Sequence, residues 1–118
     1  CGVRMQESVI ALLQMAKVAS MVKYLSTFSL PYLSIIVNPC MGGVSASIAM
    51  LGDIIIAEPK ALIGFTGPRV IEKISGEKLI KSCQSSEFLF KNGFIDFVTD
   101  RKNLRSKILN ILKILMKV

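Results

Sequence analysis

The sequence predicts one layered α/β domain, on three observations. Two short runs rich in β-branched residues, at 32–37 and 53–57, have the composition of buried strands. Between them lies a glycine pair, Gly42-Gly43, followed by small residues, as in a turn that lets a helix approach a sheet closely. Helical patterns flank this region on both sides. A chain of 118 residues is long enough for about one domain.

The first half of the chain predicts a long helix, two strands and a glycine turn. Apolar residues nearly hold the spacing of one helix face from residue 5 to about residue 25, and Pro31 prevents a much longer helix. The first strand ends at the turn Asn38-Pro39. The glycine pair then opens a helix predicted over residues 44 to about 51, and the second strand follows it.

The second half predicts a third strand and three helices. A turn at 58–60 leads into a strand at 61–65. The helix at 69–74 has Pro68 at its favoured first position and ends at Ser75-Gly76. Two more helices follow: one capped by Ser85 or Ser86 and stopped after Lys91 by Asn92-Gly93, and one from about Asp100 with the apolar stripe Leu104, Ile108, Ile111, Leu112 and Leu115.

The composition predicts a partner interface. Apolar residues make up 52% of the chain and charged residues only 19%, which is more apolar surface than a small monomer buries. The first residue is Cys1 rather than methionine. We therefore expect a subunit or a part of a longer chain.

The net charge of +7 does not predict a nucleic-acid-binding protein. Residues 101–118 hold six basic residues and no acid, so this last helix supplies nearly all of the excess. A nucleic-acid interface spreads basic residues over a face with aromatic residues between them, and this helix has no aromatic residue. The basic residues are interpreted as the solvated face of an amphipathic helix, with attraction of ligand phosphates or an acidic partner as the alternative.

A membrane span is not predicted, although residues 24–52 carry no charge. Pro31, Asn38-Pro39, Gly42-Gly43 and scattered serines interrupt that segment, as expected of a strand, a turn and a buried helix in succession.

The cysteine and histidine content excludes several kinds of site. Cys1, Cys40 and Cys83 are widely spaced and form no C-x-x-C pair, so neither a disulfide framework nor a metal site is predicted. Histidine is absent, which removes Ser-His and Cys-His nucleophilic machinery. Any chemistry must use other groups.

The glycine pair is the strongest candidate for chemistry. A helix N-terminus leaves N–H groups unpaired, and glycines let a ligand oxygen reach those donors directly. A packing role for the two glycines is the alternative. Ser45 and Ser47 follow the pair, but without a base they are interpreted as small packing residues. Three glutamates show no spacing that predicts a shared substrate and are assigned structural roles: Glu7, Glu58 and Glu72.

Several longer motifs along nearly the whole chain resemble one family. They are GVRMQE at 2–7, LQMAK at 13–17, LPY at 30–32, MGGVSAS at 41–47, MLGD at 50–53, IAEPKALIGF at 56–65, GPRVIE at 67–72 and SEFL at 86–89 with Gly93 and Ile95-Asp96. In this order they resemble the C-terminal part of the carboxyltransferase β subunit of the multisubunit acetyl-CoA carboxylase of bacteria and plastids.

The resemblance implies the crotonase (ClpP-like) fold, a spiral of ββα units, of which this chain is a partial domain. It implies transfer of a carboxyl group from carboxybiotin to acetyl-CoA, giving malonyl-CoA for fatty acid synthesis. Two backbone amides hold the thioester enolate, and the matching donors lie at Gly2, Val3, Gly42 and Gly43. The predicted substrate-binding residues are Arg4, Met41, Val44, Gly64, Phe65 and Arg69, with a salt-bridge role as the alternative for the two arginines.

The resemblance also implies cofactors and partners. Biotin would arrive on a separate biotin carboxyl carrier protein, and zinc would belong only to an upstream four-cysteine ribbon absent from these residues. The expected partners are acetyl-CoA, the carrier protein and the carboxyltransferase α subunit, in a heterotetramer. The lysine and isoleucine bias favours the plastid stroma, with the bacterial cytoplasm as the alternative.

Two rival functions stay open at the level of sequence. One is another crotonase-fold CoA enzyme, a hydratase or isomerase, which two carboxylates converging beside Gly43 would favour. The other is a non-catalytic assembly subunit, suggested by the unusual basic tail and by Cys1, because the family usually has glycine at this position beside the first amide donor.

Overall fold

The computed structural model describes residues 5–76 and 83–116. Its helices are α1 (Ser8–Ser26), α2 (Gly43–Ala46), α3 (Pro68–Ser75), α4 (Ser86–Lys91) and α5 (Arg101–Met116). Its strands are β1 (Leu33–Ile36), β2 (Cys40–Met41), β3 (Ile54–Ala57), β4 (Ile63–Gly64) and β5 (Phe97–Val98). Short 3-10 turns cover Met5–Glu7 and Ala49–Leu51. The predicted α/β class is confirmed.

A three-stranded parallel sheet forms the centre of the fold, in the order β1-β3-β5. The middle strand is the most buried, because its Ile56 and Ala57 are covered on both faces. The Asp96 carboxylate accepts a hydrogen bond from the Ile55 N–H at 2.7 Å, and the Asp96 N–H donates to the Ile55 carbonyl at 3.0 Å. These two bonds fix the entry of β5 beside β3.

A second parallel sheet, of two strands, carries the glycine turn. Cys40 of β2 lies opposite Ile63 of β4, and Met41 lies opposite Gly64. The strand predicted at 61–65 is therefore shorter than expected, and it pairs with β2. On its other side the Ile63 N–H donates to the Gln84 carbonyl at 2.8 Å. β4 is thus held between the glycine turn and the segment that precedes α4.

The helix predicted over residues 44 to 51 is wrong in its extent. α2 ends at Ala46, and Ser47 leaves the helical region with φ −122° and ψ −84°. The Ser45 hydroxyl donates to the Gly42 carbonyl at 2.7 Å, and the Ser47 hydroxyl donates to the Gly43 carbonyl. Serine side chains that bond nearby carbonyls compete with helical hydrogen bonds, which explains the early end.

The later predicted helices are confirmed to within one or two residues at their ends, whereas α1 begins at Ser8, three residues after its predicted start, and a 3-10 turn covers Met5–Glu7. Pro68 is the first residue of α3, and Gly76 closes that helix in the left-handed conformation with φ +71°. The Ser85 hydroxyl accepts a hydrogen bond from the Phe88 N–H at 3.2 Å and so caps α4. Gly93 follows with φ +77°, as the predicted stop requires.

The hydrophobic core lies around the two sheets. It consists of Ile36, Cys40, Ala49, Ile55, Ala57, Ala61, Ile63 and Ile95, with Val44, Met50 and Leu89 packed against it. The predicted stripe of α5 is buried at Ile111 but exposed at Leu115.

Helix α1 stands apart from this core. None of its residues is buried, and Val9, Leu13 and Met21 are each more than half exposed. It is the one helix, within the part of the chain that the structure describes, whose length and hydropathy would allow it to cross a membrane, a test that core helices of soluble proteins also pass. Its exposed apolar surface is of the kind that the composition predicts.

Candidate active site

Gly42 adopts a conformation that favours glycine, with φ +69° and ψ −139°. Its N–H donates to two carbonyls of the facing segment, Gly64 O at 3.2 Å and Phe65 O at 3.0 Å. The buried Ser45 hydroxyl also donates to Gly64 O, at 2.8 Å. The turn is therefore fastened to β4, and the Gly42 N–H is occupied within the protein.

Gly43 offers the open donor of this turn. It is the first residue of α2, where an N–H has no partner inside the helix, and no acceptor for it lies within hydrogen-bonding distance in residues 5–76 and 83–116. A Cβ at this position would lie 3.0 Å from the Met15 sulfur, so glycine leaves room for the Met15 side chain beside the turn. Because α2 has only one turn, its macrodipole adds little positive charge at Gly43. The donor therefore depends on the position of the Gly43 N–H at the start of the helix.

Gly43 lies in the wall of an apolar cleft of about 650 Å³ between α1 and α2. The lining includes Ile10, Met15 and Val18 from α1, and Val44 and Ile48 from the opposite side. This volume is typical of small-ligand sites. A main-chain N–H of a residue that lines an apolar wall suits a substrate oxygen that gains negative charge, because a hydrogen bond is stronger in apolar surroundings than in water.

One carboxylate, that of Glu7, lines the cleft within the described part of the chain. Glu58 is paired instead with Arg101, at 2.6 Å between Oε1 and Nε. Glu72 lies on α3 and is not part of the cleft lining. The converging pair of carboxylates that would favour a hydratase is therefore not found around Gly43 in the described residues.

The two serines after the glycine pair have structural partners. Ser45 and Ser47 are both buried, and their hydroxyls donate to backbone carbonyls of the turn and of β4. Within the described residues there is no group of three side chains that could hold a metal ion.

The predicted site residues are only partly brought together. Gly2, Val3 and Arg4 lie outside the described residues, so the second predicted donor has no position here. Gly43 and Val44 line the cleft. The others are placed around or beyond the turn: Met41 and Gly64 pair with each other, Gly64 and Phe65 accept from Gly42, and Arg69 is exposed on α3.

Sequence reasoning missed two residues near the turn, Met15 and Gln84. Met15 belongs to the stripe Ser8, Ala11, Met15 and Val18, whose three- and four-residue steps place it on the cleft face of α1. This spacing could have identified Met15 from the sequence. Gln84 carries no local signal, since only the pairing of β4 with the segment at 83–86 brings it to the turn.

Three described groups have displaced pKa values, and none of them lines the cleft. Burial raises the pKa of the Cys40 thiol. The hydrogen bond from the Lys60 N–H, at 2.7 Å, is the main cause that lowers the pKa of Glu87. The hydrogen bond with Glu58 raises the pKa of Arg101.

Known structures share this architecture. Transcarboxylase 12S with methylmalonyl-CoA and methylmalonic acid bound has a TM-score of 0.76 and 32% identity, over 95% of this chain and 22% of that chain. A Pseudomonas malonate decarboxylase hetero-tetramer in complex with malonate has a TM-score of 0.80 and 28% identity, over 93% of this chain and 44% of that chain. This chain thus spans less than half the length of either.

An enoyl-CoA hydratase/isomerase from Xanthobacter autotrophicus Py2 has a TM-score of 0.60 and 18% identity, over 89% of this chain and 44% of that chain, which shows the fold alone. The chain therefore has the crotonase fold, as a partial domain. The carboxyl transferase domain matches residues 1–117. With almost every residue inside that match, the chain belongs to the carboxyl transferase domain family.

Proposed function

We propose that this chain is part of the carboxyltransferase β subunit of an acetyl-CoA carboxylase and helps to transfer a carboxyl group from carboxybiotin to acetyl-CoA, giving malonyl-CoA. The observation that carries the proposal is that Gly43, whose N–H has no acceptor among residues 5–76 and 83–116, lines the wall of an apolar cleft. Family membership supports carboxyl transfer, and the transcarboxylase relative with methylmalonyl-CoA bound supports a CoA thioester as substrate.

The chain's share of the reaction is to hold the acyl group. The Gly43 N–H donates to the thioester oxygen where charge develops as the methyl proton leaves, a contribution of about 3–4 kcal/mol for one preorganised donor. Met15 and Val18 contribute apolar surface to the wall of the same cleft. The second donor comes from Gly2 or Val3, and Glu7, a few residues further on, already lines the same cleft. When bound, carboxybiotin would supply the carboxyl group, and its ureido nitrogen, freed of that group, would take up the methyl proton.

The rest of the site belongs to other chain segments and subunits. We propose that the α subunit and the biotin carboxyl carrier protein complete it in a heterotetramer, and that a zinc ribbon precedes this part of the β subunit. The exposed apolar face of α1 supports such packing. The lysine and isoleucine bias supports a plastid stroma location.

Reconstitution tests the proposal. The natural full-length polypeptide is combined with its α subunit, carrier protein, biotin carboxylase, ATP and radiolabelled bicarbonate, and label transfer to acetyl-CoA and to propionyl-CoA is compared. We expect acetyl-CoA to be the preferred acceptor. Preference for propionyl-CoA would contradict the proposal that acetyl-CoA is the substrate. Assembly of the complex without turnover would identify this chain as part of a non-catalytic subunit.

A further inference from the structure

Gln84 packs behind the glycine turn, and we propose that it is a positioning residue for the Gly43 donor. Its side-chain Nε2 donates to the Thr66 carbonyl at 2.8 Å, and its main-chain carbonyl accepts from the Ile63 N–H at 2.8 Å. The side chain also covers Gly64, since a Cβ there would lie 2.6 Å from Nε2. Gln84 therefore holds residues 63–66 at both ends.

The held segment is the one that fastens the glycine turn. The carbonyls of Gly64 and Phe65 lie between the two points that Gln84 holds, and both accept from the Gly42 N–H. Without the bond to Thr66, the neighbouring peptide can rotate and carry the Phe65 carbonyl away from Gly42. Gly43 would then lose its fixed orientation, and preorganisation is what gives an oxyanion donor its value.

One end of the Gln84 amide carries an energetic cost. The Gln84 Oε1 atom is buried and has no hydrogen-bond partner among the described residues. A buried acceptor without a donor is unfavourable, and an apolar side chain of similar size avoids that cost. The NH2 group of the amide is the part that holds the turn, because this group alone donates a hydrogen bond to residues 63–66.

The variant Gln84→Met tests this role in the full-length β subunit within its complex. Methionine keeps the length of the side chain and removes the donor. We expect amide hydrogen exchange at Gly42 to become about tenfold faster, as for the loss of a hydrogen-bonded constraint. We also expect kcat to fall by a similar factor with little change in KM, while the thermal midpoint stays the same or rises.

The variant Gln84→Glu is the matched control, because its protonated carboxyl can donate to Thr66 O and its carboxylate cannot. Its kcat relative to the wild type should rise as the pH is lowered, whereas Gln84→Met should show no such recovery. Burial favours the protonated form, which brings this recovery into an accessible pH range.

The outcomes separate this inference from the proposed function on which its catalytic part rests. Unchanged Gly42 exchange in Gln84→Met overturns the positioning role whatever the substrate is, since exchange needs no substrate. A parallel fall of kcat and the thermal midpoint, without pH rescue in Gln84→Glu, assigns Gln84 to stability and also overturns it. A wild-type complex that makes no malonyl-CoA, yet shows the exchange difference, overturns only the function.

Discussion

Met15 covers Gly43: its sulfur lies 3.0 Å from the point where a Cβ on Gly43 would sit. The contact joins α1 to the glycine turn across the cleft. Because methionine is flexible, it can move aside for a small added group. Substitutions at residue 43 can therefore alter the donor while the fold is kept.

Gly43→Pro and Gly43→Ala form the sharpest test of the donor. Both add a Cβ, but only proline deletes the N–H, and proline is accepted at the first position of a helix. We expect kcat/KM for malonyl-CoA formation to be roughly 10²–10³-fold lower in Gly43→Pro than in Gly43→Ala.

Gly67→Ala is the control for these two variants, since among the described residues only its own chain neighbours lie within 4 Å of a Cβ placed there. It should react at the wild-type rate. Equal rates for Gly43→Pro and Gly43→Ala would show that the Gly43 N–H is not the donor.

Gly52→Ala should destabilise the protein. The new Cβ would lie 2.7 Å from Ser34 Cβ, 3.1 Å from Ile54 O and 3.2 Å from Ser34 N, and backbone atoms cannot move aside easily. Overpacking of this kind costs about 1–3 kcal/mol. Urea unfolding measures the loss, with Gly67→Ala expected within about 0.5 kcal/mol of the wild type. A Gly52→Ala variant as stable as the control would contradict the close packing of this turn on β1.

Glu87 should make the folded protein lose stability as the pH is lowered. The Lys60 N–H lowers the pKa of this carboxyl below the ordinary 4.5. A lowered folded-state pKa gives stability that is present above the unfolded-state value and is lost as the pH falls through the folded-state value. The wild type should therefore lose more stability than Glu87→Gln on acidification from about pH 5. Urea midpoints across that range measure this, and parallel curves would refute it. The effect is small because the side chain is exposed.

Cys40 and Cys83 should differ in reactivity. Cys40 is buried in the core, and burial raises the pKa of its thiol, whereas Cys83 is only partly covered. The thiolate is the reactive form, so native Cys40 should be alkylated at least about tenfold more slowly than Cys83. Iodoacetamide pulses followed by peptide mass spectrometry measure both rates, and the rates should converge in urea. Equal native rates would place Cys40 at the surface.

The boundaries predicted well are those set by local signals. Pro68 starts α3, Ser85 caps α4, and Gly93 stops it, each through its own backbone preference or side chain. The end of α2 was missed because Ser45 and Ser47 form side-chain bonds that a small-residue pattern does not reveal. Short-range competition of this kind overrides helix propensity.

Sequence reasoning predicted the glycine turn, but it did not predict that the Gly42 N–H is bonded to β4 while the Gly43 N–H has no acceptor among the described residues. The Gly42 N–H is occupied because β4 pairs with β2 in a register that places Gly64 opposite Met41. Parallel pairing joins distant segments through a crossover, so no local pattern specifies the register. For the same reason Gln84 could be recognised only from the fold.

Helix α1 forms one wall of the cleft although it buries none of its own 19 residues. A helix with so little packing is only weakly favoured in water. The apparent dissociation constant of any cleft ligand is then the intrinsic value divided by the fraction of molecules in which α1 is in place. A neighbour that packs on the outer surface of α1 would tighten ligand binding without touching the ligand.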